Sequence, residues 1–302
     1  MNLVRGLKKY SLVIAMLAGI FLWQPLSYLS FLIPFMIFGM LFFTFVKISP
    51  ASIRLAPTHM LIMVLQVILA ILFYIIFNPL NAILAQGFLI CFLAPAATAS
   101  SVVIGILNGD IGYGTAYVLL SHILIAFIGP VIFSYIDYVN LPFWQSVYHI
   151  FSGIIPLIIV PLLLAWIIKG VMPKISNRLF ANSKLPYWFW ITSLSLILAK
   201  TVKYIANQPD KDVALLILLC IVGLVSAVIQ FYLGNKIGTF RVNKDTVTTR
   251  QSFGQKNTSL AIWMALSYLN PLCSIAPASY VIWQNLFNSY QIYQFEKKNN
   301  KL

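Results

Sequence analysis

The sequence predicts an all-α polytopic membrane protein. Ten transmembrane helices form a single integral membrane domain over residues 1–302, arranged as two inverted five-helix repeats of roughly 1–138 and 142–296. Three observations predict it. Hydrophobic residues make up 61% of the chain and charged residues only 9%, with a mean hydropathy of +0.91. Soluble domains carry roughly 25% charged residues, so this chain cannot cover a water-facing surface, which excludes a soluble enzyme or nucleic-acid binder. The second observation is that no Asp, Glu, Lys or Arg occurs over 10–46, 55–109, 138–168 or 257–295. One crossing needs about 20 apolar residues, so the longer runs hold two crossings each. These runs are continuously apolar rather than alternating, which argues against a β-barrel. Third, two of the apolar segments are interrupted by polar patches at matching places in the two halves.

Taken in order, spans 10–26 and 29–47 share the first charge-free run, and 58–78 and 83–107 share the second. The first follows Arg5, Lys8 and Lys9 like a signal peptide, but no small-residue cleavage site precedes the second, so it reads as a retained helix. Asn108-Gly109-Asp110 reads as a turn and helix start for span 111–136. Span 143–168 occupies the third run, 186–206 and 212–235 flank a short loop, and 251–268 and 272–294 close the chain.

The net charge of +14 is placed by topology. With the N-terminus cytoplasmic, Arg5, Lys8, Lys9, Lys47, Arg54, Lys169, Lys174, Arg178, Lys184, Lys236, Arg241, Lys244, Arg250, Lys297, Lys298 and Lys301 all fall inside. Lys200, Lys203, Lys211 and Lys256 remain. Positive residues resist translocation, so both termini are expected in the cytoplasm and the chain in the cell (inner) membrane. The basic excess is not a nucleic-acid patch.

An odd number of crossings per half forces two related halves to lie upside down relative to each other, a recurrent transporter arrangement. Span four is interrupted by Ala94-Pro95-Ala96-Ala97-Thr98-Ala99-Ser100-Ser101, and span nine by Gly254-Gln255-Lys256-Asn257-Thr258-Ser259. Neither patch can face lipid, where each unsatisfied backbone group costs several kcal/mol. Small and hydroxylated residues alone are also explained by close helix packing. Lys256 argues for more, because a lysine at the bilayer centre costs about 2.5–3.5 kcal/mol and usually serves function. Its competing reading is a side chain that snorkels from a helix end, six residues after Arg250.

At these patches the chain resembles the bile acid:sodium symporter family, ten-helix carriers of bile acids and other organic anions whose fourth and ninth helices unwind and cross. Ala94 to Val103, followed by Asn108-Gly109-Asp110, is similar to the family's Pro-Gly-Gly-Thr-Ala-Ser-Asn stretch and the turn after it. Gly254-Gln255-Lys256-Asn257-Thr258-Ser259-Leu260-Ala261 is similar to its Glu-x-Gly-Met-Gln-Asn stretch. Val281-Ile282-Trp283-Gln284-Asn285 falls where members often read Trp-His-Asn, and Ile33-Pro34 and Phe38-Gly39-Met40 add to the likeness. The resemblance implies an alternating-access carrier for a small organic anion, with Thr98, Ser100, Ser101, Asn257 and Asn285 lining the substrate site. Hydroxyl and amide groups suit a carboxylate or hydroxyl ligand.

The departures concern sodium. Ser252 stands where the resemblance implies an acidic ligand, Lys256 where it implies Gln, and Ser101 where it implies Asn. Gly114 and Val118 stand where the resemblance implies hydroxyl-bearing residues, and Gln66 where it implies one ligand of a second sodium site. An ammonium offers only donors, so it cannot ligate sodium. Lys256 is therefore expected to substitute for the cation, as a fixed charge or as a proton carrier, and no cofactor is expected. Two other functions stay open: a conventional sodium:organic anion symporter of this fold, and a non-transporting receptor or sensor, with a channel as a further variant.

Enzyme chemistry has little support. His59, His122 and His149 are scattered, and the six acids lie in loops or at helix ends, which leaves no acid pair or metal cluster. His122 reads as a packed, hydrogen-bonded residue. Cys91, Cys220 and Cys273 have no pairing or metal spacing and read as packing residues.

Overall fold

The computed structural model describes residues 14–47, 55–97, 99–136, 142–176, 185–207, 212–240 and 245–299. The described part is helical, with one isolated bridge as its only extended pairing. Helix α1 covers 14–21 and is followed by α2 (Trp23–Tyr28), a 3₁₀ turn (Ser30–Leu32) and α3 (Ile33–Lys47). Then come α4 (Pro57–Phe77), α5 (Ala82–Leu93), α6 (Ala99–Ile106), α7 (Ile111–Ile136), α8 (Phe143–Val171) and the single turn α9 (Pro173–Ile175). The remainder is α10 (Leu185–Ala206), α11 (Val213–Gly238), α12 (Thr246–Gly254), α13 (Thr258–Tyr268), a 3₁₀ turn (Pro271–Ser274) and α14 (Ile275–Asn299).

Among the described residues five helices are long and apolar enough to cross a bilayer, and α5 is a shorter apolar helix. The chain is a multi-pass membrane protein. Its outer faces agree: α4 leaves Leu61, Val64, Ile68, Leu72 and Ile75 exposed, a surface suited to lipid. In contrast α7 sits deep, with Tyr113, Tyr117, Ser121, His122 and Phe133 buried.

The expected spans 83–107 and 251–268 are each divided into two helices, α5–α6 and α12–α13. Residues 10–13 of the expected first span, 10–26, lie outside the described residues, and the rest of that span turns at Leu22.

Helix starts are fixed by side-chain caps, which matter more where water cannot serve orphan N–H groups. Asn81 Oδ1 accepts from Ile83 and Leu84 N–H at the head of α5. Asp212 does the same for Leu215 N–H in α11, and Asp245 for Thr248 N–H in α12. Just past the end of α6, Asn108 takes a left-handed φ of 57° while Gly109 N–H returns to Ile104 O at 2.8 Å. Asn tolerates that conformation better than most residues.

Helices α11 and α12 pack backbone to backbone. A Cβ at Gly238 would lie 2.4 Å from Thr246 Cα, and one at Gly234 would lie 2.8 Å from Arg250 Cα. The Gly-x-x-x-Gly spacing lets the α12 backbone press against α11 and holds the interrupted helix in place.

Candidate functional site

The two interruptions meet. After α5 ends at Leu93, residues Ala94–Ala97 run extended, and after α12 ends at Gly254, Gln255–Asn257 do the same. The strands pair antiparallel around Ala96 and Lys256. Ala97 N–H donates to Gln255 O at 2.9 Å, and Asn257 N–H donates to Pro95 O at 2.8 Å. Pro95 has no N–H to donate and ends the helical path, which explains why the chain breaks there. Each broken segment thus satisfies the other's backbone where neither helix can.

The remaining backbone groups at the crossing are served by side chains from neighbouring helices. Ala96 N–H donates to Ser121 Oγ on α7 at 2.9 Å, and Lys256 N–H donates to Gln284 Oε1 on α14 at 3.0 Å. The α5 carboxyl end is closed by three donors. Gln230 Nε2 reaches Cys91 O at 3.2 Å, Lys256 Nζ reaches Phe92 O at 3.1 Å, and Gln66 Nε2 reaches Leu93 O and Ala94 O at 2.8 and 3.1 Å. Tyr117 OH donates to Gln66 Oε1 at 2.8 Å, while on the other side Gln230 Nε2 donates to Tyr280 OH and Tyr280 OH donates to Gly254 O at 2.6 Å.

Lys256 is 1% exposed, so it does not snorkel to either surface. Its ammonium meets the negative end of the α5 dipole and lies 5.2 Å from the Phe253 ring centroid. The Lys256 amine therefore occupies the carbonyl-rich end of a half-helix.

The expected site residues divide. Ser100 and Ser252 are buried with unpartnered Oγ atoms. Ser101 is half-buried, and its Oγ accepts from Thr115 Oγ1 at 3.2 Å. Asn257 is the amino-terminal cap of α13: its Oδ1 accepts from Leu260 N–H at 3.2 Å, and its Nδ2 lies 3.3 Å from His122 Nε2. Asn285 turns its Nδ2 back onto Val281 O of its own helix at 2.7 Å. Gln66 has both ends of its amide committed to Leu93, Ala94 and Tyr117. Thr98 lies outside the described residues. Gly114 has a packing reason besides any lost hydroxyl, since a Cβ there would meet Ile104 Cδ1 of α6 at 2.4 Å.

Sequence reasoning missed several members. Ser121, Tyr117, Gln230, Tyr280 and Gln284 all hold the crossing, and Ser259, second residue of α13, is buried with an unpartnered Oγ like Ser100 of α6. A signal existed for some: a Gln in mid-span is rare enough to demand a partner, and Gln230 sits in an otherwise apolar helix. His122, expected as a packed residue, is packed and also joins the network. Its Nδ1 lies 2.8 Å from Val118 O, which fixes the proton there and leaves Nε2 to accept from Asn257. Cys91 and Cys273 are buried as expected of packing residues, whereas Cys220 is exposed on α11. Among the described residues no group of three or more His, Cys, Asp or Glu gathers as a metal site would require.

Comparison with models of known protein families and with curated proteins finds no match.

Proposed function

We propose that this chain is a secondary active carrier of a small organic anion, bile-acid-like or a simple carboxylate, working by alternating access around the crossing. In this proposal its ten spans form two inverted five-helix repeats, and Lys256 replaces a coupling cation. One observation carries the reading: two interrupted helices pair antiparallel through Ala96 and Lys256, so the amino ends of α6 and α13 begin at the same place. Helix amino ends carry partial positive charge and favour anions. Each of these two helices has a buried hydroxyl without a partner at its second residue, Ser100 and Ser259. Buried polar atoms are almost always paired, so two orphans at one crossing mark room for a ligand's acceptors.

The inverted repeat is supported by matched roles. Gln66 and Tyr117 are hydrogen-bonded to each other beside the α5 break, and Gln230 and Tyr280 are hydrogen-bonded to each other between the α5 end and the α12 break, in the same order along the chain. Ser121 follows Tyr117 and Gln284 follows Tyr280 at the same spacing, and each accepts the N–H of one bridge residue.

The test is flux. Purified protein in proteoliposomes is screened for uptake and counterflow of labelled organic anions. Saturable counterflow that Thr98→Ala or Asn257→Ala abolishes supports a carrier. Binding without counterflow makes the chain a receptor, and currents far above carrier turnover make it a channel; either overturns the proposal.

A further inference from the structure

A second polar feature lies away from the crossing. A cavity of about 290 Å³ opens between the carboxyl end of α10, the α2–α3 connection, and the turn from α13 into the following 3₁₀ segment. Its walls include Lys200, Lys203 and Asn207 from the α10 end, Ser30 opposite them, and the apolar Leu266 and Pro271. Among the described residues no Asp or Glu lines it.

Two ammoniums three residues apart on a helix are neighbours and repel each other. Both are half-buried rather than free in water. Lys200 lies six residues before the end of α10, about 9 Å from it at 1.5 Å per residue. Lys203 Nζ lies over the Tyr28 ring, 5.2 Å from its centroid. The helix carboxyl end and the ring both favour Lys203, which lies in the last turn, and neither offers the pair a shared counter-charge. Around the ammoniums stand an amide and a hydroxyl able to donate, and beyond them an apolar wall.

We propose that this cavity is a second anion site, taking a carboxylate or phosphate group carried on a small organic body, from a free solute or from an anionic lipid headgroup. Its charge binds both ammoniums and its apolar part lies on Leu266 and Pro271. Pockets for drug-sized ligands run from about 300 to 1,000 Å³, so the volume suits a small solute or one headgroup rather than a bulky steroid.

The experiment measures acylation of single lysines by mass spectrometry on the full chain in nanodiscs. One arm uses phosphatidylcholine discs with succinate or inorganic phosphate as probe. The other uses discs containing one-third phosphatidylglycerol without added solute. Lys236 is the internal control, because its Nζ lies over Tyr232 at 5.5 Å and it does not line the cavity. Labelling of Lys200 and Lys203 should slow at least fivefold in one arm or both, with Lys236 unchanged. The solute arm identifies a free anion and the lipid arm a headgroup. Lys203→Gln should remove the protection at Lys200, and Lys203→Arg should keep it. Asn257→Ala should also keep it, since the crossing is elsewhere. Protection in neither arm, equal slowing at Lys236, or loss of protection in Asn257→Ala overturns the proposal.

Discussion

Replacing Lys256 tests the coupling proposed for this chain. Its Nζ donates to Phe92 O at 3.1 Å, and the adjoining carbonyls of Leu93 and Ala94 are held by Gln66. A cation ligated at this helix end would lie about 4 Å from Nζ, where a protonated Lys256 would repel it by about 4 kcal/mol at an effective dielectric near 20. That is roughly a thousandfold in affinity. Wild-type uptake into proteoliposomes should therefore be equal in sodium and in choline buffer. Lys256→Gln removes the repulsion, so sodium should begin to raise uptake, more strongly when Ser252→Glu restores a carboxylate. Stability should not confuse the result. Lys256→Met leaves Phe92 O without its donor, which costs about 1–3 kcal/mol. It also removes a charge whose placement at mid-membrane costs about 2.5–3.5 kcal/mol. The net lies between about 0.5 kcal/mol destabilising and about 2.5 kcal/mol stabilising, so the melting temperature should not fall appreciably while transport changes. Strict sodium dependence of the wild type, rising steeply across millimolar sodium, refutes the assignment.

The other predictions follow from single contacts. Asn257→Ala removes the α13 cap, worth about 1 kcal/mol, and the His122 contact; uptake should fall at least tenfold with only a small loss of thermal stability, and wild-type transport would count against the site. Ser121→Ala and Gln284→Ala each strand one buried bridge N–H, so thermal melts in detergent should show about 1–3 kcal/mol of destabilisation for each. A melt unchanged in both would mean the bridge does not depend on them. Gly238→Leu drives a side chain into Thr246 and Thr249 and should cost about 1–3 kcal/mol or prevent assembly; unaltered yield and melting would refute the close α11–α12 packing.

The sequence by itself determined that this is a helical membrane protein, because water cannot solvate charge-free runs such as 55–109 and lipid requires their backbone to be helical. It also located the two interruptions, since Pro95 and Lys256 cannot continue an ordinary lipid-facing helix. Several partnerships were decided only by the tertiary structure. For Gln66, Tyr117, Ser121, Gln230, Tyr280 and Gln284 the local pattern gives no sign of which group each will meet. Their partners lie between 25 and 139 residues away. Asn285 shows the same limit in reverse: its sequence position suggested the cavity, yet its amide is spent on Val281 of its own helix. Hydropathy reports the cost of leaving water residue by residue. Hydrogen bonds across a membrane core depend on which helices touch, and that is settled by the packing of small residues such as Gly234 and Gly238 against a neighbouring backbone.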